Sequence, residues 1–306
     1  MKEKIYIIGL GKAGSALALE LNDLGYNISF ISDRHSERLK KLEKKLSLIS
    51  SSEKPESDFI KNSDIILICV QDRYIKELVK EINEMNLDLR NKCFLHISGS
   101  ESSDVFDFNN FQKENAASMH PIQTFSKFSE TNHKLLTNIY FGIEGGKSAI
   151  KISKKIIENL NSKYILIPKE KKNLYHSACV ISSNFLVTLL NISSEVLSNI
   201  GIEKSKTFEI FEPIIMNTLH NISDEGLINS LTGPFERNDI ETISNHLNSI
   251  NSELPSLIPF YTLLGMETVK VAFKKESLNM KNVISLLDLM NEYIKSESEI
   301  YNKTIN

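Results

Sequence analysis

The feature that most constrains the fold is a glycine pattern near the start of the chain. Gly9, Gly11 and Gly14 form the spacing G-x-G-x-x-G between a short apolar run, KIYII, and the helix-like stretch ALALEL. In a strand–turn–helix unit the first glycine permits a tight turn, the second lets a pyrophosphate approach the backbone, and the third allows the helix to pack on the strand. The free amides at the start of the helix also attract phosphate. The pattern therefore predicts a dinucleotide site.

The end of the next strand carries residues that bear on the choice of dinucleotide. Asp33 lies nineteen residues beyond Gly14, where an acid accepts from the ribose 2′-hydroxyl of NAD. Arg34 beside it suits the 2′-phosphate of NADP instead, with Ser36 and Arg38 nearby. We predict NADP and keep NAD as an alternative. The predicted cofactor-binding residues are Gly9, Leu10, Gly11, Lys12, Ala13, Gly14, Asp33, Arg34, Val70, Gln71 and Ser98.

The first half of the chain alternates strand-like and helix-like segments. Short apolar runs at KIYII, NISFIS, DIILICV, KCFLHI, NIYFGI and KYILI are separated by helix-like segments such as SERLKKLEKKL and RYIKELVKEINEM. This alternation predicts βαβ units and a parallel sheet. After Pro168 the strand signals nearly vanish, and apolar residues recur mostly at three- and four-residue spacing, which is typical of helices. We therefore predict an α/β dinucleotide-binding domain over residues 1–168 and an all-α domain over residues 169–306.

Composition and charge exclude several classes of protein. The 306 residues are 41% hydrophobic and 25% charged, as in an ordinary globular protein. With 36 basic and 39 acidic residues the net charge is −3, so no basic field favours a nucleic-acid partner. No run approaches the roughly 20 apolar residues that span a bilayer. Cys69, Cys93 and Cys179 lack metal-ligand spacing, which predicts no metal site and a reducing, cytoplasmic compartment.

Three further stretches are candidates for a functional site. FLHISGS (94–100) ends a strand in small and polar residues, at the sheet edge where doubly wound folds bind ligands. MHPIQTF (119–125) places His120 before a proline, in a predicted loop. LTGPFERND (231–239) is a glycine–proline turn before a helix, for which Asn238 is the predicted cap and Glu241 the residue that reaches back.

The helix-like segment KNLYHSACVISSNFLVTLL (172–190) has two different faces. Lys172, His176 and Ser183 share one face, with Asn184 at its margin. A polar face on a helix that begins the second domain is expected to point towards a cleft between the domains, where ligand sites are frequent. The opposite, apolar face is predicted to be core and comprises Leu174, Ala178, Ile181, Phe185 and Leu189.

In its motifs the chain resembles a family with an N-terminal Rossmann-like domain and a C-terminal domain of unknown function, DUF2520. The resemblance rests on GLGKAG, HISGS, HPIQTF, FGIEG, YHSACVISSNFL and LTGPFERND, and runs along nearly the whole chain. It implies an architecture related to 6-phosphogluconate dehydrogenases, pyrroline-5-carboxylate reductases and ketopantoate reductases. The chain departs from the family at Asp33–Arg34, where Ser-Arg is common, and at Arg237–Asn238–Asp239, where an RGD-like turn is common.

The resemblance implies an NAD(P)-dependent oxidoreductase that forms a homodimer through its helical domain. Some members are thought to act as ketopantoate (2-dehydropantoate) reductases in pantothenate synthesis, and we expect that activity on a small keto acid. Reduction of another small carbonyl or imine, as in pyrroline-5-carboxylate reductase, is the first alternative. A nucleotide-sensing binding protein without chemistry is the second.

Reduction of a ketone leaves an alkoxide that must receive a proton, and a histidine or lysine can supply it. His176 is the first candidate for this role and Lys172 the second. Asn184 and Ser183 are expected to orient the substrate carbonyl. The remaining candidates are His120 and Gln123, which would position substrate or nicotinamide, and Arg237, which would hold a substrate carboxylate with two hydrogen bonds.

Overall fold

The computed structural model describes residues 3–46, 50–125 and 134–305, the last eleven of these by their backbone alone. Eight strands in these ranges form one sheet in the order β3-β2-β1-β4-β5-β6-β7-β8. The strands are β1 (Lys4–Ile8), β2 (Asn27–Ser32), β3 (Ser50–Ser52), β4 (Ile65–Ile68), β5 (Cys93–His96), β6 (Ala116–Pro121), β7 (Tyr140–Gly145) and β8 (Lys163–Leu166). The helices that alternate with them are α1 (Lys12–Asp23), α2 (Ser36–Leu46), α3 (Ser57–Lys61), α4 (Asp72–Glu84) and α5 (Lys147–Asn159).

The sheet is buried on both faces, which explains its uninterrupted apolar strands. In β1, Ile5 and Ile7 pack with residues of α1, α2 and α5. The alternate residues Tyr6 and Ile8 point to the opposite face and pack with residues of α3 and α4. Helices on both faces of a mainly parallel sheet make this the predicted doubly wound fold.

Strand β6 corrects one prediction. His120 lies inside this strand and not in a loop, because Ala117 and Ser118 continue the parallel sheet beside β5. On its other side β6 pairs antiparallel with β7, where His120 is opposite Gly142. The sheet is therefore mixed. Pro121 closes the strand, a position where the missing N–H is tolerated.

The chain divides into two compact units, Met1–Phe185 and Leu186–Asn306. The division falls inside α6 (Lys172–Asn199), so the first turns of this helix belong to the unit that contains the sheet. Pro168, after the last strand, marks the change from mixed to helical secondary structure, and its use as a domain boundary stays a prediction. The other helices are α7 (Thr207–Asn229), α8 (Ile240–Glu253), α9 (Ile258–Lys274) and α10 (Met280–Ile305).

The second unit has its own apolar core between α8, α9 and α10, to which Ile243, Val269 and Leu286 contribute fully buried side chains. Helix α8 corrects a second prediction. Its cap is Asp239, whose carboxylate accepts from the backbone N–H and the hydroxyl of Thr242. Asn238, the predicted cap, instead adopts a left-handed conformation with a φ of 54°.

The apolar face of α6 corrects a third prediction, because this face is not core within the chain. Leu174 is 68% exposed, Ile181 60% and Phe185 54%.

Among the described residues, Lys169–Asn199 is the one helical span with the length and composition to cross a membrane, at a mean hydropathy of 1.4, and none of that apolar stretch is buried. Such a span is weak evidence for a membrane protein.

Candidate functional site

The glycine turn after β1 has the geometry of a phosphate-binding loop. Gly9 has a φ of +94°, and a Cβ at Gly14 would lie 2.1 Å from the carbonyl oxygen of Gly9, so both positions require glycine. A Cβ at Gly11, in contrast, would meet nothing within 4 Å. Gly11 is also the N-cap of α1, where it offers no side chain to the amides of the first turn. The open space over Gly11, at the positive end of a helix, fits a pyrophosphate.

Asp33 holds this loop in place. Its Oδ2 accepts from the backbone N–H of Leu10 at 2.6 Å, and its Oδ1 accepts from the backbone N–H of His35 at 2.8 Å. The guanidinium of Arg38 lies 3.8 Å from the same carboxylate. Each oxygen already has a backbone donor, so this buried acid has a structural reason to be present that does not depend on NAD.

The pocket beside the glycine turn is lined by residues from the predicted cofactor set, including Gly11, Arg34, Val70 and Gln71. Arg34 lies over the ring of Tyr74, with its Cζ 4.3 Å from the ring centroid, and Arg73 approaches the same ring at 4.7 Å. Such contacts attract a guanidinium to the face of the ring electrostatically. A wall with two arginines fits an anionic nucleotide.

A second groove adjoins the loop on the side of α2. It is lined by Leu10, Gly11, Lys12, Arg38 and Lys41, among others. Gly11 and Arg38 line both pockets, so positive charge continues around the glycine turn. Ala13, the remaining residue of the predicted loop, lies in the first turn of α1.

A cluster of polar side chains lies at the carboxyl end of β5 and in the neighbouring strand β6. Lys172 from α6 is 3% exposed, and its ammonium donates to the carbonyl oxygen of Ser98 at 3.1 Å and to the hydroxyl of Ser118 at 2.6 Å. Both acceptors are neutral, and no carboxylate in the described part of the chain pairs with this ammonium. Burial lowers the pKa of Lys172 to about 8.

His120 and His176 meet across Gly99. A Cβ on Gly99 would lie 2.6 Å from Cδ2 of His176 and 2.9 Å from Nε2 of His120, so a side chain there would displace the rings. Tyr175 completes the group, with its hydroxyl 2.7 Å from Nδ1 of His120 and its ring packed on Gly142. The structure thus brings together Lys172, His120 and His176, three of the four residues predicted to be catalytic.

Two histidines of this cluster are held neutral. His96 is fully buried, with Nδ1 accepting from the N–H of Ser98 and Nε2 close to the carbonyl oxygen of Ser102. Burial, reinforced by the charge of Lys172, lowers the pKa of His96 to about 3 and that of His120 to about 4. Both imidazoles are therefore in their neutral form at neutral pH, with one N–H each, and neither is the imidazolium acid.

The other residues predicted to contact the substrate are Ser183, Asn184, Gln123 and Arg237. Ser183 and Asn184 are seven and eight residues beyond His176 on α6, which is roughly 10–12 Å along the helix axis. Gln123 is exposed, and its amide group bonds to the backbone of Thr124 and Leu135. Arg237 is exposed in the second unit.

Sequence reasoning missed Tyr175, Ser118 and Asp72. The carboxylate of Asp72 accepts from the hydroxyl of Ser98 at 2.7 Å and from that of Ser100 at 2.8 Å. An acid in the first turn of a helix is expected for electrostatic reasons alone, so it gave no separate signal. The i, i+3, i+4 spacing of Lys172, Tyr175 and His176 on one helix was the available signal for Tyr175.

Two family models match the chain. Residues 139–268 match the domain of unknown function DUF2520. Residues 4–94 match the family described as NADP oxidoreductase, coenzyme F420-dependent. None of the curated proteins compared with the chain matches it.

Solved structures share the fold. Protein TM1727 from Thermotoga maritima is 26% identical, with a TM-score of 0.70 over 89% of this chain and 99% of its own. Protein BF3122 from Bacteroides fragilis is 22% identical, with a TM-score of 0.68 over 88% and 98%. A pyrroline-5-carboxylate reductase from Coxiella burnetii is 13% identical, with a TM-score of 0.56 over 92% and 100%. The chain thus has one region that matches the NADP oxidoreductase model and one that matches the DUF2520 model, which confirms the resemblance seen in its motifs.

Proposed function

We propose that the chain uses NADPH to reduce the keto group of a small 2-keto acid, with ketopantoate as the first substrate to test. The observation that carries this proposal is the buried ammonium of Lys172, which has a lowered pKa and neutral oxygen partners. A proton donor works best when its pKa lies near the operating pH. The match of residues 4–94 to NADP oxidoreductases supports the cofactor.

The cofactor, when bound, supplies a hydride, and the chain supplies the remaining interactions. The glycine turn and α1 hold its phosphates, while Arg34 and Arg38 hold a 2′-phosphate. Lys172 donates the proton that the developing alkoxide needs. His120, neutral and hydrogen-bonded to Tyr175, and His176 across Gly99 position the substrate. We thus assign proton donation to Lys172 in preference to His176.

The proton donor also separates the proposed reaction from its first alternative. Hydride transfer to a protonated imine gives a neutral amine directly, whereas transfer to a ketone gives an alkoxide that requires a proton. A buried lysine beside the site therefore favours a carbonyl substrate. The fold shared with pyrroline-5-carboxylate reductases keeps imine reduction as the second candidate. Asn184, Ser183, Gln123 and Arg237 remain proposed substrate contacts on sequence grounds.

A screen of NADPH oxidation tests the proposal. The purified chain is assayed with ketopantoate, pyrroline-5-carboxylate and a panel of 2-keto acids, with NADH in parallel reactions. We expect turnover with ketopantoate or a related keto acid, and faster turnover with NADPH. Turnover on the imine alone would assign the first alternative. Tight NADPH binding without turnover of any substrate would assign a nucleotide sensor.

We also infer that the active form is a homodimer in the cytoplasm. Large apolar side chains on α6 and α7, among them Val187, Phe208 and Ile214, are more than half exposed in the single chain. A second copy that covers them would remove this apolar surface from water. The three free cysteines fit a reducing compartment.

A further inference from the structure

Asp72 connects the wall of the nucleotide pocket to the residues around Lys172. It is the first residue of α4, between Gln71 and Arg73, which both line that pocket. Its Oδ2 accepts from the hydroxyls of Ser98 and Ser100. One carboxylate oxygen therefore holds both ends of the Ser98–Gly99–Ser100 turn.

Ser98 is the residue on which these hydrogen bonds converge. Its backbone N–H donates to His96, and its carbonyl oxygen accepts from Lys172 at 3.1 Å and from the hydroxyl of Ser118 at 2.9 Å. Its own hydroxyl donates to Asp72 and accepts from the backbone N–H groups of Ser100 and Glu101. Every polar group of this 4% exposed residue is thus engaged.

The position of Gly99 makes the turn sensitive to small movements. A Cβ added to Gly99 would overlap the rings of both His120 and His176, so the turn and the two rings are closely packed. A shift of the turn would therefore displace the ammonium acceptor at Ser98 and both imidazoles together. Displacement of reacting groups by about 1 Å can lower a rate by roughly 10²-fold.

From this arrangement we propose that Asp72 is a positioning residue for the reaction. By fixing the hydroxyls of Ser98 and Ser100 it sets where Lys172, His120 and His176 present their polar atoms. The inference rests on the proposed role of Lys172 in carbonyl reduction. Asp72 itself neither binds the cofactor nor transfers a proton.

Several charged or titratable groups influence the ammonium of Lys172 from the elements around it. They are Glu144 on β7, Asp72 on α4 and Glu101 after β5. The imidazoles of His96 on β5 and His120 on β6 also face this charge, which lowers their own pKa values. The charges of Glu144, Asp72 and Glu101 raise the pKa of Lys172, against the larger lowering by burial. Loss of one of these charges should therefore lower its pKa further.

Two measurements on the full-length chain test the proposal. The first is the pH titration of the Lys172 side chain by NMR of 13C-lysine-labelled, cofactor-free protein, assigned by loss of the signal in Lys172→Met. The second is kcat and KM for the keto acid at pH 6.5, where Lys172 is protonated. We expect Asp72→Asn to move the Lys172 midpoint to lower pH and to lower kcat about tenfold or more, with the Kd of NADPH within twofold of wild type.

Two control variants separate charge from position. Glu101→Gln removes a nearby charge but leaves the Asp72–Ser98 hydrogen bond, so it should lower the midpoint and leave kcat at pH 6.5 within twofold. Ser100→Ala removes one of the two hydroxyls without changing charge, so the midpoint should stay at the wild-type value. An equal loss of kcat in Glu101→Gln and Asp72→Asn would show that charge alone acts, and would overturn the positioning role.

A conservative variant keeps the test decisive if Asp72→Asn does not fold. Asp72→Glu retains the charge and should leave the midpoint near wild type, while its longer side chain displaces Ser98 and lowers kcat. Wild-type kcat in Asp72→Glu would overturn the proposal. The NMR midpoint needs no turnover, so an unchanged midpoint in a folded Asp72→Asn variant also overturns it, even where no keto acid is reduced.

Discussion

At the scale of residues, the proposed chemistry depends mainly on Lys172. Burial of Lys172 against neutral oxygens costs stability, because the ammonium loses hydration without gaining a carboxylate partner. Groups arranged in this way are frequent at functional sites. The sequence identified Lys172 as a candidate through its place on a polar helix face. Its pKa depends on the surrounding elements, which the sequence does not reveal.

Removal of this ammonium should separate stability from activity. We expect Lys172→Met to lower turnover by about 10²–10⁴, the usual contribution of acid catalysis. The Tm at neutral pH should be equal to that of wild type or higher, because a buried charge is replaced by an apolar side chain of similar length. Thermal melting and steady-state assays of the two proteins make the comparison. A lower Tm with activity in proportion to folded protein would contradict the catalytic role.

The pH profile provides an independent check on the same residue. Lys172 donates only while protonated, so kcat/KM for keto-acid reduction should be level below a pKa of about 8 and fall as pH rises above it. The folding stability changes with pH in the opposite direction to the activity. Because the folded pKa lies below the unfolded value, the unfolded state binds more protons between the two, and folding becomes more favourable as pH rises through that window. A kcat/KM that rises as the pH passes about 8 would exclude Lys172 as the acid.

Arg34 carries the prediction about cofactor choice. Loss of a hydrogen bond to a charged group costs about 1.5–3 kcal/mol, so Arg34→Ala should weaken NADPH binding by that amount and leave NADH nearly unchanged. Arg73→Ala is the matched control, since Arg73 contacts the same Tyr74 ring. Calorimetric titration of wild type and both variants with each cofactor gives the six affinities. Equal losses for NADPH and NADH in Arg34→Ala would show that Arg34 does not discriminate.

At the scale of elements, periodicity predicted most of the strands and helices, and contacts between elements decided the rest. Strand β1 and helix α1 were predicted because the apolar run, the glycines and the helical spacing agree. Strand β6 was missed because its short sequence ends in proline and relies on pairing with β5 and β7. The faces of α6 have helical spacing, but spacing does not say which face packs. The polar end of this helix packs at the sheet, while its apolar face remains exposed.

The glycine turn allows a prediction with a built-in control. Gly11→Val should place a side chain in the phosphate position and abolish dinucleotide binding while the protein stays folded, since a Cβ there meets nothing. Gly14→Ala should instead destabilise the fold, because its Cβ would overlap the backbone of Gly9. NADPH titration and thermal melting of both variants distinguish the two effects. Unchanged NADPH affinity in Gly11→Val would remove the glycine turn from the cofactor site.

At the scale of the whole molecule, the main feature is the apolar surface that α6 and α7 expose in a single chain. Light scattering after size exclusion should give twice the 34.7 kDa chain mass. Phe208→Lys, on the exposed surface of α7, should shift the protein towards the monomer. Lys281→Glu, an exposed change on α10, serves as the control for altered charge. A monomer of wild-type sequence at micromolar concentration would refute the homodimer.

The division of the chain inside α6 has a consequence for how the protein can be cut or recombined. A fragment that stops at Pro168 would lose Lys172, Tyr175 and His176, and would expose the groove over Gly142 that Tyr175 fills. A fragment that stops after Phe185 would keep all three side chains with the sheet they contact. The part of the chain that carries the candidate chemistry therefore comprises the sheet and the first half of α6. A chimera that exchanges the helical domain between relatives would keep this part intact only if the junction lies after Phe185.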